Sequence, residues 1–259
     1  MSADEASPSH GGIHLSRGVA IRIPVGGLTI GFDERGQFGA QLKEVHLQLN
    51  TCTDWLEIAL DHLHTAHSSH AELLKQHAGN GDLASSMQQE FKSSMQACVA
   101  SATFFEALYA LARDCMPPRR LAPKSKGRAP SSRADHVTEQ LKRSFGLRQK
   151  GTSNLRSVLV EIYRFRDEAV HPAASFGPPA RHPALGLVVE RRFAMYTASN
   201  AHLLVRAALA YCEILPTVAG KQGPKEGRNL CNYLLNSGSP LFAAWRAQYG
   251  KLRDDEAAA

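Results

Sequence analysis

Residues 83–115 read LASSMQQEFKSSMQACVASATFFEALYALARDC. Within them Met87, Phe91, Met95, Cys98, Ala102, Phe105 and Leu108 recur at steps of three and four, the spacing that lines one face of an α-helix. Pro117-Pro118 stops that helix. In front of it, Asn80-Gly81-Asp82 makes a turn, with Asp82 placed as the N-cap. Upstream of the turn, Leu42, Val45, Leu49, Cys52, Leu56, Ala59 and Leu63 repeat the same steps, predicting a long helix from Phe38 onward. Trp55, Ile58 and Leu60 widen its stripe to that of a bundle core. Two long helices with broad apolar faces predict an all-α helical bundle.

The rest of the chain is arranged around that pair. Residues 1–17 read as a disordered leader. Residues 18–37 alternate apolar positions around Gly26-Gly27 and predict a small β-hairpin appendage, with Pro24 on an edge. After the second helix, residues 117–134 form a basic, Pro/Ser-rich loop inserted in a bundle that spans 38–215. Further helices are expected at 137–145, 154–170 and 188–215, with an irregular stretch at 173–183. Residues 216–259 are expected to hold short helices at 229–235 and 240–252 and a tail.

Composition narrows the class. The 259 residues are 43% hydrophobic and 21% charged, which is globular and not disordered. No run approaches 18 uninterrupted apolar residues and no apolar h-region follows the N-terminus, so neither a membrane span nor a secretory signal is expected. The five cysteines are separated by at least 17 positions, which gives neither a disulfide framework nor a CxxC zinc site. They read as thiols in a reducing cytoplasm. Net charge is +6, but the window 117–150 holds ten Lys/Arg against Asp135 and Glu139, so it carries +8 and the remainder −2. Such a local excess fits either a polyanion contact or a solvated loop.

One residue breaks the helical pattern. On a helix at 154–170, Leu155, Val158, Leu159, Ile162, Ala169 and Val170 fall within about 60° of one direction. Arg166 falls about 20° from that direction, whereas Arg164 falls on the opposite side. A guanidinium on an apolar stripe needs a partner or a wet cleft. Five residues later comes His171, followed by Pro172, which turns it out of helical geometry.

Arg166-Asp167-Glu168-Ala169-Val170-His171 therefore reads Arg-x4-His at a bundle-helix end, with a polar residue after the arginine. This resembles the signature of the HEPN superfamily, Arg-x4-6-His. The helices on either side, one alanine-rich and bearing Glu106 and one long, are similar to that family over roughly 38–215. The resemblance implies an HEPN-type bundle and a metal-independent endoribonuclease with no cofactor. It implies a homodimer that shares an Arg/His cleft, and a toxin–antitoxin or anti-phage defence setting with a restraining antitoxin or regulatory protein as partner. In that reading Arg166 and His171 are catalytic, and Asp167 and Glu106 support them. Arg119, Arg120, Lys124, Lys126, Arg128, Lys142, Arg143, Arg148 and Lys150 hold the RNA backbone. The competing reading is a non-catalytic helical module binding a protein or nucleic-acid partner, with Arg166 bonded to Glu106 inside the bundle and His171 capping its helix.

Other patterns carry less. Residues 61–77, DHLHTAHSSHAELLKQH, hold five histidines, with His67, His70 and His77 on one helical side, but no HExxH and no third ligand set in place. A solvated helix end is expected there. No GxGxxG, Walker loop or GxSxG is present. Trp55 and Trp245 are read as packing residues, and Cys115 as a helix-end thiol.

Overall fold

A computed structural model describes residues 19–117, 132–171 and 177–253. The leader at 1–17 and most of the basic loop fall outside the described residues. The chain divides into two compact units, residues 1–50 and 51–259.

The first unit is a two-stranded antiparallel ribbon in two ladders. β1 (Val19–Arg22) pairs with β4 (His46–Leu49), and β2 (Leu28–Phe32) with β3 (Phe38–Leu42). The hairpin is therefore longer than the sequence predicts, and its tip is elsewhere. The reversal lies at Asp33–Gln37, where Asp33 Oδ1 accepts from the amides of Arg35 and Gln37 and Gly36 takes φ +75°. Gly26-Gly27 sits instead at a corner between the ladders, where the Gly27 carbonyl accepts from the Lys43 and Glu44 amides. Phe38–Leu42 and His46–Leu49 are strand, and nothing in 38–49 is helix. Leu42, Val45 and Leu49 step by three and four, but Leu47 and Leu49 also alternate with His46 and Gln48. Pairing of β3 with β2 and of β4 with β1 decides in favour of strand.

The second unit is a bundle of seven helices among the described residues. α1 (Cys52–Ala78) and α2 (Ala84–Cys115) lie side by side, joined at 79–83. The N-cap of α2 is Leu83 and not Asp82 as expected; Asp82 Oδ1 accepts from the Ala84 amide from one position further out. α3 (Arg133–Phe145) opens on a capping box, Ser132 accepting from the Asp135 amide while Asp135 accepts from that of Ser132. It ends at Gly146 in the left-handed region. α4 (Gln149–Val170) packs on α2 and α3.

A two-residue ribbon follows, β5 (Ala180–Arg181) with β6 (Val188–Val189). Helix does not run from 188 as expected. α5 (Arg191–Met195) is one turn, and α6 (Ala198–Gln222) starts afresh at Thr197, whose hydroxyl accepts from the Asn200 amide. α7 (Arg228–Tyr249) is one helix passing through Pro240, where two short helices are expected. Leu234 on one side of the proline and Leu241, Phe242 and Trp245 on the other are all buried in the core, so packing holds the helix together across it.

The core joins α1, α2, α3, α4, α6 and α7 around Leu56, Phe104, Phe105, Leu141, Leu159 and Trp245. α2 and α6 are long and apolar enough to cross a membrane by length and composition, and about half of each apolar window is buried within the bundle.

Candidate functional site

The residues around Arg166 come from three helices. α4 buries Leu155, Leu159, Ile162, Tyr163 and Phe165, so Arg166 stands at the edge of the buried stripe, its side chain 31% exposed. Its Nε lies 2.9 Å from Asp167 Oδ1, yet this buried nitrogen makes no aligned hydrogen bond. Asp167 itself is largely in solvent. The contact is an ion pair by distance only, and such pairs contribute little. Arg166 also lies near the Tyr163 ring, with Cζ 5.4 Å from its centroid.

Glu106 is engaged elsewhere. Arg133, in the first turn of α3, donates from Nε to Glu106 Oε1 at 2.9 Å, and from Nη2 to Oε2. The same guanidinium covers the Tyr109 ring at 4.3 Å. The expected support of Arg166 by Glu106 is thus replaced by a bidentate Glu106–Arg133 pair, and Arg166 acts on Glu106 only through its charge. Burial pulls the Glu106 carboxyl up, but the Arg133 and Tyr163 hydrogen-bonding groups and the two guanidinium charges outweigh it, so the group sits below the usual carboxylate value. Burial and then the Glu106 charge push the Tyr163 hydroxyl well up. That hydroxyl is buried without a properly formed hydrogen bond. Arg133 belongs to the basic window, and only its place in the first turn of α3 brings it to Glu106.

His171 ends α4. Its amide donates to the Asp167 carbonyl at 2.9 Å, and its backbone leaves helical geometry at φ −126°, ψ 62°, as a residue before proline does. The side chain is exposed. Asp167 meets Arg166 and not the imidazole, so its expected hold on the His171 tautomer is not what its carboxylate does here.

No family model, curated protein or solved structure matches the chain.

Of the basic residues, Arg119, Arg120, Lys124, Lys126 and Arg128 lie outside the described residues. Lys142 pairs with Glu139 at 3.7 Å, and Arg143 donates to the Pro117 carbonyl at 3.0 Å. Arg148 and Lys150 are exposed at the start of α4. Beside the last turn of α4 an apolar groove of about 320 Å³ is lined by Trp55, Ile58, His62, Met95, Val99 and Val170, among others. Trp55 is therefore partly a surface residue, whereas Trp245 is buried.

The histidine-rich end of α1 is less solvated than its composition suggests. His67 Nε2 lies 3.3 Å from His202 Nδ1 on α6, and the Tyr249 ring packs tilted against His67 and edge-on to His202. His70 Nδ1 is 2.9 Å from Oε1 of Glu90, a buried carboxylate that also accepts from the Ala198 amide at the start of α6. These histidines lock helices together. Among the described residues, no group of three or more His, Cys, Asp or Glu is placed to hold a metal.

Proposed function

We propose that the chain is a metal-independent endoribonuclease of the HEPN type that acts as a homodimer in the cytoplasm, within a toxin–antitoxin or anti-phage defence system. The observation that carries this reading is Arg166. A half-buried cation with no aligned hydrogen bond stands one turn before a helix end where an exposed histidine turns away. A guanidinium kept so at a bundle surface contributes little to stability and is suited to an incoming anion.

In this reading the RNA 2′-hydroxyl attacks its own phosphorus. His171 moves protons, as base at the 2′-oxygen in one subunit and as acid at the 5′-oxygen in the other. Arg166 clamps the non-bridging oxygens as charge builds on them. The products are a 2′,3′-cyclic phosphate and a 5′-hydroxyl. The cations of the segment 119–150 hold the flanking backbone, which makes binding steeply salt-dependent. A restraining protein partner belongs to the same proposal.

The test is cleavage of a mixed single-stranded RNA in EDTA by the wild type, Arg166→Ala and His171→Ala, with a 2′-deoxy substrate as control. The expected result is cleavage of the ribo-substrate alone, and loss of at least ~100-fold in each variant. A wild type that cuts while both variants cut equally well sinks the assignment. The second reading, a non-catalytic module that binds a partner, is favoured by the apolar groove beside α4, whereas the Arg166–Glu106 bond expected of it is absent because Glu106 pairs with Arg133. It predicts an inert wild type and partner binding lost on Trp55→Ala.

A further inference from the structure

Glu106 stands between two arginines and is held by one of them. On α2, Glu106 and Tyr109 are three residues apart and share a face. The first turn of α3 brings Arg133 to them, and α4 brings Tyr163 and Arg166, again three apart. Among the described residues, the guanidiniums whose charge acts on Glu106 are those of Arg133 and Arg166. Tyr163 links the two positions. Its buried hydroxyl is close to Glu106 without an aligned hydrogen bond, and its ring centroid lies 5.4 Å from Arg166 Cζ. One bidentate guanidinium occupies the forked side of a carboxylate, and Arg133 does so, Nε to Oε1 at 2.9 Å and Nη2 to Oε2. Arg133 has a second hold in the Tyr109 ring, 4.3 Å away. Arg166 is left with a buried Nε that makes no aligned bond and with the solvated Asp167.

We propose that Arg133 is a positioning residue for Arg166: by engaging both oxygens of Glu106 it keeps the Arg166 guanidinium from closing onto that carboxylate, and so leaves it free for a phosphate. Without Arg133, a partly buried carboxylate loses its neutralising partner beside a partly buried cation that has no aligned bond of its own. Pairing the two then relieves both. Glu106 is in that case the opposite of a support for Arg166. It is an internal anion that competes with the substrate for the same guanidinium. The fork of Arg133 is what settles the competition. A lysine at 133 would satisfy one oxygen as a point charge and leave the other open to Arg166. That the freed guanidinium takes an RNA phosphate rests on the ribonuclease reading, whereas the competition for Glu106 stands without it.

Two measurements on the full chain test this, and the first needs no RNA. A double-mutant cycle of Arg166→Met with Glu106→Gln, read by urea denaturation, is run in the wild type and again in Arg133→Met, which keeps an apolar stem over Tyr109 and removes the fork. The coupling in the unfolding constant is expected to be within about 1.5-fold of unity in the wild type and at least ~3-fold in Arg133→Met. The second measurement is binding of a single-stranded 2′-O-methyl RNA, which lacks the attacking hydroxyl, alongside cleavage of the unmodified strand. Arg133→Met should weaken binding by at least ~10-fold, as loss of one charge-assisted contact does. Arg133→Lys should fall between it and the wild type. Glu106→Gln alone should stay within about 2-fold of the wild type, and Glu106→Gln added to Arg133→Met should restore binding to within about 3-fold, with cleavage following the same order. No coupling in Arg133→Met overturns the proposal whether or not RNA is cut. A loss in Arg133→Met that Glu106→Gln does not restore makes Arg133 a direct RNA contact and overturns it, as does an equal loss in Glu106→Gln alone. Coupling that appears in Arg133→Met while Arg166→Ala binds and cuts like the wild type bears out the competition and sinks the ribonuclease reading of Arg166 by itself.

Discussion

Arg133 grips both carboxylate oxygens of Glu106 and sits over the Tyr109 ring, so the start of α3 is tied to the C-terminal third of α2 by one side chain. Both partners are partly exposed, with side-chain accessibilities of 41% and 31%, so solvent screens the pair. A double-mutant cycle of Arg133→Ala and Glu106→Gln, read by urea denaturation, should give a coupling of only about 0.5–1 kcal/mol. The Glu106 carboxyl lies below its ordinary value when folded. The pair's contribution is therefore present above the ordinary carboxylate pKa and is lost as pH falls through the lowered folded value. A coupling unchanged between neutral and strongly acid conditions would contradict that.

Arg166 leads to a different expectation. Its Nε is buried without an aligned hydrogen bond, and its one ion-pair contact is the solvated Asp167. Arg166→Met keeps the length and apolar stem and removes the charge. Its unfolding free energy should stay within about 1 kcal/mol of the wild type or rise above it. If the ribonuclease reading holds, the same variant loses cleavage by at least ~100-fold. A loss of more than about 2 kcal/mol on Arg166→Met would make Arg166 a structural cation.

Sequence pattern reveals these elements unevenly, for physical reasons. The long 3.6-period stripes of α2 and α4 leave no second interpretation, and their spans are close to those expected. Residues 38–49 are too short and too mixed to separate the two periods, and only cross-strand pairing, of 38–42 with 28–32 and of 46–49 with 19–22, decides them. Pro240 reads locally as a helix break, but the buried residues on either side of it hold α7 in one piece. Arg166 is legible because it disrupts a stripe. Its neighbour Arg133 is not, because a cation in a basic segment looks solvated until tertiary packing brings Glu106 to it.

The His67–His202 contact makes stability depend on mild acid. Burial lowers the pKa of each, and neighbouring charge adds to it: His70 for His67, with Glu90 opposing, and His67 itself for His202. Burial lowers that of His182 too. A depressed folded pKa means that the unfolded chain takes up protons first. Stability is then full above the ordinary histidine pKa and falls as pH drops through the lowered folded values. Melting temperature should decline as pH falls from about 7.5 to 5, and His202→Phe should flatten that decline by removing one titrating group. A slope as steep in His202→Phe as in the wild type would place the acid sensitivity elsewhere.

The two glycines at the ribbon corner should fail for different reasons. At Gly27 an added Cβ would lie 2.7 Å from the Glu44 carbonyl oxygen and 2.9 Å from Pro24 Cδ. The obstacle is backbone and a fixed ring, so Gly27→Ala should cost about 1–3 kcal/mol of ribbon stability. At Gly26 nothing lies within 4 Å, but φ is +83°, so Gly26→Ala should cost about 1–2 kcal/mol through backbone strain alone. Asparagine separates the two mechanisms, because it tolerates the left-handed region and yet has a Cβ. Gly26→Asn should recover much of the amide protection that Gly26→Ala loses in 19–49, whereas Gly27→Asn should recover none. Because the residues of 51–253 form their own core, hydrogen exchange in the bundle should be the same in all four variants. Equal recovery by asparagine at both positions would show that backbone strain, and not the approach of Glu44, fixes the corner.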